Sequence, residues 1–209
     1  MSNTPTNTLT NTTPNPATNP TPITVALAAL AGLLMSISIG ISPSRAMDEP
    51  PSFIYSGGCF WCTEADSEKL DGVVEVISGF TGGTTPNPQY YSGKWGDHRE
   101  AAKVIYDPEV ISFEDLVKHV YRTVDYEDDG GQFCDRGHSY SPAIYVKTAD
   151  EAALAKALAP ATSVVPIEQE SAFYPVREEH QDFYKKRSVK YKFYRFNCGR
   201  DRRLSRLNS

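Results

Sequence analysis

No charged side chain occurs before Arg45. Residues 1–22 are almost wholly Asn, Thr, Pro and Ser, a composition that cannot bury a core and reads as a disordered leader. Residues 23–41 are apolar or small, and no Lys or Arg precedes them. That absence removes the basic region that usually opens an export signal. At 19 residues the run also reaches the length that crosses a bilayer. Ser44-Arg45-Ala46 nevertheless offers a small-x-small cleavage site. The expectation is a signal peptide or N-terminal membrane anchor over 23–46, with the protein exported to the periplasm or another extracytoplasmic space. Translation from Met35 or Met47 would leave it cytoplasmic instead.

Other absences narrow the function. There is no internal repeat, no phosphate-binding glycine loop and no dinucleotide fingerprint. No basic stripe interleaved with aromatics suggests nucleic acid. The formal net charge of -5 favours solubility and says little about partners. The 209 residues suit one domain with attached segments. Cysteine is scarce: four residues, all after Met47. An even count in an exported domain admits two structural disulfides. That reading suits Cys134 and Cys198 better than Cys59 and Cys62.

The reason lies in Gly57-Gly58-Cys59-Phe60-Trp61. A short apolar run, Phe53-Ile54-Tyr55, ends at the glycine pair, and helix-forming residues follow to Leu70. The pattern is strand, tight turn and a helix beginning at or near Cys59. A thiol at a helix N-terminus faces free N–H groups and the positive end of the dipole, which lowers its pKa and favours the reactive thiolate. Phe60 and Trp61 supply an apolar wall beside the sulfur. The Cys59-x-x-Cys62 spacing is that of a redox pair, or of half a zinc site. Zinc needs two more ligands, and neither Cys134 nor Cys198 belongs to a second such pair.

Beyond the turn, Val73 to Phe80 reads as a strand, Thr81 to Asp97 as a long irregular loop and Arg99 to Tyr106 as a strand. Ser112-Phe-Glu-Asp115 resembles a helix cap with acidic first-turn residues, opening a helix to about Val124. Asp125 to Ser141 is a second polar loop. Strands over 143–147 and 164–168 and a helix from Thr148 to about Leu158 follow. A further helix covers Glu178 to Lys186, and the basic tail over 191–209 reads as irregular and flexible. Alternating strands and helices predict a mixed sheet with helices packed on it.

Both long loops can converge on Cys59. Strand alternation places His98 and Glu100 on one face and Arg99 on the other. A carboxyl in an aromatic-lined site can be held protonated by desolvation and can then give its proton to an oxygen. A solvated Glu100 paired with an arginine is the equal alternative. Tyr90 and Tyr140 carry phenol donors in the two loops, and Asp135 lies in the second. Each alone is more readily structural than catalytic.

Taken together these blocks resemble the A-type peptide methionine sulfoxide reductases. They stand here as Gly58-Cys59-Phe60-Trp61-Cys62-Thr63-Glu64, Ser78-Gly79-Phe80-Thr81-Gly82-Gly83, Asn87-Pro88-Gln89-Tyr90 and His98-Arg99-Glu100. After them come Gly131 to Tyr140, Phe173-Tyr174-Pro175 and His180-Gln181-Asp182-Phe183-Tyr184. The resemblance spans about Ile54 to Tyr184. It implies a two-layer α/β sandwich with a mixed sheet and a ferredoxin-like core, with the catalytic domain at 47–190. It implies Cys59 as nucleophile, Phe60 and Trp61 as the wall around the substrate methyl, and Glu100 as the acid that protonates the sulfoxide oxygen. Tyr90 and Tyr140 become hydrogen-bonding tyrosines, and Asp135 a carboxylate that orders the polar site. The product cysteine is a sulfenic acid, and a second thiol condenses with it to a disulfide. Cys62 and Cys198 are the candidate resolving thiols, with Cys198 favoured to act first. The resemblance further implies the S epimer, oxidised proteins or free methionine sulfoxide as substrate, and a monomer. It implies no cofactor and no metal, only an external dithiol such as thioredoxin. A general thiol-disulfide oxidoreductase and a non-catalytic domain with two disulfides are the competing readings.

Overall fold

The computed structural model describes residues 49–90 and 95–209. The leader, the 23–46 segment and the middle of the first long loop therefore lie outside the described residues. Among the described residues no helix is long and apolar enough to cross a membrane.

The chain runs β1 (Ser52–Ser56), α1 (Phe60–Ser67), β2 (Val73–Thr81), β3 (Arg99–Tyr106) and α2 (Phe113–Thr123). After a small hairpin, β4 (Gly131–Gln132) with β5 (Asp135–Arg136), come β6 (Ala143–Val146), α3 (Ala149–Leu158), β7 (Ile167–Gln169) and β8 (Tyr174–Pro175). Three helices close the chain: α4 (Phe183–Lys186), α5 (Ser188–Cys198) and α6 (Arg200–Leu207). The main sheet has six strands in the order β7-β6-β1-β3-β2-β8. Every pairing is antiparallel except β6 with β7, so the sheet is mixed, as expected.

Local chemistry explains the elements. Ser112 accepts from the Asp115 backbone N–H while Asp115 accepts from that of Ser112, a reciprocal cap worth about 1 kcal/mol. Leu116, Val117, Val120 and Tyr121 of α2 then face Phe53, Tyr55, Val104 and Ile144 of the sheet to form the main core. Alternation along β1 sends Ile54 to the opposite face, where it packs with Ala101, Ala143 and Tyr145.

The structure corrects two expectations. The segment from 178 is not one helix: a 3-10 turn over Glu178–His180 precedes α4, and Asp182 between them takes a left-handed conformation. The tail from 191 is not irregular, because α5 and α6 run to Leu207. Gly199, at φ 71°, makes the sharp corner between them. Tyr191 and Leu204 fasten the pair to the domain, and Arg200 is buried to 1% exposure. The many basic residues of this stretch resemble a solvated tail, yet Arg195, Arg200 and Arg203 all pair with acids on the body of the protein.

Candidate active site

Cys59 is the N-cap of α1, directly after the turn made by Gly57 and Gly58. Gly58 has φ +85°, and a Cβ there would meet the Cβ of Gln132 at 2.6 Å. Only glycine lets the second long loop pack so closely on the cysteine turn. Gln132 is itself buried, accepting from the Asp125 N–H (2.7 Å) and donating to its carbonyl (2.9 Å). That side chain pins the loop against the turn.

Glu100 reaches the site from β3, opposite Phe80 in the β2 ladder. Its Oε2 accepts the backbone N–H of Phe60 at 2.9 Å, one residue past Cys59. The carboxyl is 2% exposed, and burial pushes its pKa up to about 8, against the pull of the Phe60 N–H. Asp135 and Cys62 add smaller pushes in the same direction. Glu100 is thus mostly a neutral acid at pH 7. The alternative of a solvated Glu100 paired with arginine fails. Arg99 points away, donating to Ser141, Tyr145 and Glu168.

An aromatic wall lines the turn. The Phe60 ring lies 5.9 Å from those of Phe80, Tyr90 and His180. Trp61 stacks on Phe183 at 3.8 Å and lies 6.0 Å from Tyr194. Tyr90 stacks on Trp95, whose indole N–H donates to the Tyr90 carbonyl at 3.1 Å. Tyr140 packs edge-on to Trp95 from the other loop. Burial raises the Tyr140 hydroxyl above its usual range, and Glu100, Asp135, Tyr90 and Cys59 all press on it electrostatically. Asp135 is half-buried, and burial raises it above the ordinary carboxylate range. The fold therefore gathers Cys59, Phe60, Trp61, Tyr90, Glu100, Asp135 and Tyr140 into one site.

The cysteines divide into two pairs. Cys59 and Cys62 are free and buried, with their sulfurs in hydrogen-bond contact. That contact lowers Cys62 to about 7 against the opposing effect of burial, with help from Arg200 and Arg195. Burial drives Cys59 the other way, well above its usual value. The expectation of a low-pKa Cys59 is corrected here. The helix N-terminus is real, but the sulfur is desolvated, and its hydrogen-bond contact with Tyr194 offsets that only in part. Cys134 and Cys198 form a disulfide across a sequence separation of 64. The Cys198 sulfur is engaged with Cys134, whereas Cys62 lies one helical turn from Cys59.

Sequence reasoning missed three contributors. Tyr194 of α5 donates a short hydrogen bond to Asp135 and lies in hydrogen-bond contact with Cys59. Its spacing, one turn before Cys198, is visible in the sequence, but an irregular tail gives that spacing no meaning. Phe183 extends the Trp61 wall. It is placed there by Gln181, which brackets the Ser78 peptide (2.8 and 2.9 Å), and by the Asp182 N–H donating to Glu64 (2.9 Å). Arg200 donates to the carbonyls of Gly57 (3.0 Å) and Thr123 (2.6 Å) beneath the turn.

A thiol pair, a buried acid and a compact aromatic cage form a site for reducing a small polarised group carried on an apolar chain. The family model for peptide methionine sulfoxide reductase matches residues 52–208, nearly the whole of the described domain. The chain belongs to the peptide methionine sulfoxide reductase family. It is 40% identical over 188 residues to peptide methionine sulfoxide reductase MsrA 2 of Rhizobium meliloti, covering 87% of this chain and 94% of that protein. It is 37% identical over 190 residues to MsrA 2 of Caulobacter vibrioides, covering 87% of this chain and 97% of the relative. The solved methionine sulfoxide reductase A of Corynebacterium diphtheriae superposes with a TM-score of 0.61 at 26% identity, covering 69% of this chain and 78% of the other. This reductase is accordingly an oxidoreductase, a peptide-methionine (S)-S-oxide reductase that returns methionine sulfoxide to methionine.

Proposed function

We propose that the reductase works through Cys59 as nucleophile and Glu100 as acid, with Cys62 as the first resolving thiol. The observation that carries this reading is the placement of a buried, neutral carboxyl on the peptide N–H adjoining the buried cysteine. The sulfoxide methyl fits against Phe60 and Trp61, and its oxygen meets Glu100, Tyr90 and Tyr140. Protonation of that oxygen makes the sulfur electrophilic. Cys59 attacks the sulfur, and its thiol proton passes to the Cys62 thiolate beside it. The protonated oxygen leaves the substrate sulfur and bonds to the Cys59 sulfur as the bond between the two sulfurs breaks, giving methionine and the Cys59 sulfenic acid. Tyr194 and Asp135 hold the polar side of the pocket. Cys62 then attacks the sulfenic sulfur, forming a Cys59–Cys62 disulfide and releasing water. An external dithiol, such as thioredoxin, reduces that bond by exchange and becomes a disulfide itself. These steps call on no metal or organic cofactor. The Cys134–Cys198 bond ties the second loop to α5, keeping Asp135 and Tyr194 together.

Turnover of a racemic methionine sulfoxide peptide with dithiothreitol tests the activity and its centre. Wild type should consume half the racemate, and Cys59→Ser should consume none. Turnover by Cys59→Ser, or insulin-disulfide reduction by a wild type that leaves the sulfoxide intact, overturns the reading.

The resolving role has its own test. Pre-reduced Cys62→Ser, freed of donor, should release one methionine per chain and then hold a dimedone-reactive sulfenic acid at Cys59. Wild type should show a Cys59–Cys62 disulfide and no adduct. A Cys59–Cys198 disulfide forming in Cys62→Ser at the wild-type rate would return first place to Cys198.

A further inference from the structure

A cleft of about 510 Å³ opens beside Trp61, floored by Phe183 and flanked by Arg187 and Lys190. Its neighbour along α5 shares Arg187 and Lys190 and is walled by Val189 and Phe193. The two form one track leading away from the aromatic cage. Val189, Phe193 and Phe196 are 83%, 72% and 80% exposed, and their spacing of four and three residues puts them on one stripe of α5. The opposite face of that helix buries Tyr191 and carries Tyr194 to the site. An aromatic stripe left open to water on a helix fastened to the active site calls for an occupant.

Charge identifies its kind. Lys185, Lys186, Arg195 and Arg203 all pair with carboxylates. Among the described residues Arg187 and Lys190 form no ion pair, although both are exposed beside the cleft. Glu179, which also lines the cleft, offsets one of the two charges. The distances suit an extended chain. Trp61 stacks on Phe183 at 3.8 Å, and the Lys190 ammonium lies 5.8 Å from the Phe183 ring centre. About three residues at ~3.3 Å each cover that path.

We propose that this track docks the polypeptide flanking the methionine sulfoxide, and that it favours an acidic residue within about three positions followed by a bulky apolar one. The proposal rests on the reductase reading above. The acidic side chain meets Arg187 and Lys190, and the apolar one covers Val189 and Phe193. The preferred substrate is thus an unfolded or exposed protein segment, not free methionine sulfoxide.

Three substrates test it: N-acetyl methionine sulfoxide, a peptide with an acidic-apolar flank and the same peptide with a basic-apolar flank. For wild type, kcat/KM should be roughly threefold to tenfold higher for the acidic peptide than for the basic one, the scale of two exposed ion pairs. Arg187→Glu/Lys190→Glu should invert that order. Phe193→Ala should lower both peptides relative to the acetylated amino acid, and Lys192→Glu, on α5 outside the track, should preserve the wild-type ratios. Equal kcat/KM for the two peptides overturns the track while leaving the reductase reading intact. The track is overturned in the same way if wild type ignores the flank yet sediments with anionic vesicles through Arg187 and Lys190, which would make the stripe a lipid-facing surface. No turnover of any substrate overturns the reductase reading and the track with it.

Discussion

Glu100→Gln is expected to slow the sulfoxide-reduction step by about 10²- to 10⁴-fold, the usual worth of a positioned general acid. The amide oxygen of glutamine can still accept the Phe60 N–H, so the turn should keep its shape. What disappears is a proton poised at the sulfoxide oxygen. The pH profile separates this role from a structural one. An acid works only while protonated, and burial holds Glu100 near 8. Single-turnover methionine release by wild type should therefore rise as Cys62 ionises near 7 and peak before Glu100 loses its proton near 8. Above pH ~8 it should fall, approaching tenfold per pH unit. The variant should lose that alkaline limb along with its rate. Disulfide formation should respond in the opposite sense, rising as Cys62 ionises near 7. An unchanged alkaline limb in Glu100→Gln would remove Glu100 from the acid role.

Arg200→Met should be the most destabilising substitution of a charged side chain. Arg200 is fully enclosed, pairs with Asp66 at 3.4 Å and lies over the Phe133 ring at 4.8 Å. It also satisfies the carbonyls of Gly57 and Thr123. Removing it leaves two buried carbonyls unsatisfied and takes one cation from the buried Asp66 carboxylate, a loss of about 3–5 kcal/mol. For a domain of this size that lowers Tm by roughly 6 to 20 °C. Asp66 would retain Arg195 (3.0 Å), which should keep the chain folded at 25 °C. Calorimetry showing a drop of under 2 °C would mean that Arg200 is decoration and not a fastening.

Both predictions concern residues that the sequence reveals unequally. Glu100 is visible because β3 alternates and because the aromatic-rich loop before it has to go somewhere. Arg200 is hidden among Arg202, Arg203 and Arg206, where a solvated cluster is the ordinary expectation. Its burial depends on the Gly199 corner, which swings α6 under the cysteine turn. Tyr194 is hidden for the same reason. In an irregular tail, a tyrosine one turn before Cys198 has no face to occupy.

Local residue patterns set the strand-turn-helix around Cys59, the alternation that separates Glu100 from Arg99, the Ser112 cap and the family. These are local patterns, legible because strand and helix periods and turn glycines act over a few residues. How the cysteines pair, which thiol is desolvated and how deeply Glu100 is buried emerge only from the folded chain. It alone brought α5 to the site. Each of these depends on groups distant along the chain, such as Cys134 with Cys198 or Phe60 with Glu100. Burial and hydrogen bonding set a group's charge, and both are fixed only when the loops close over it.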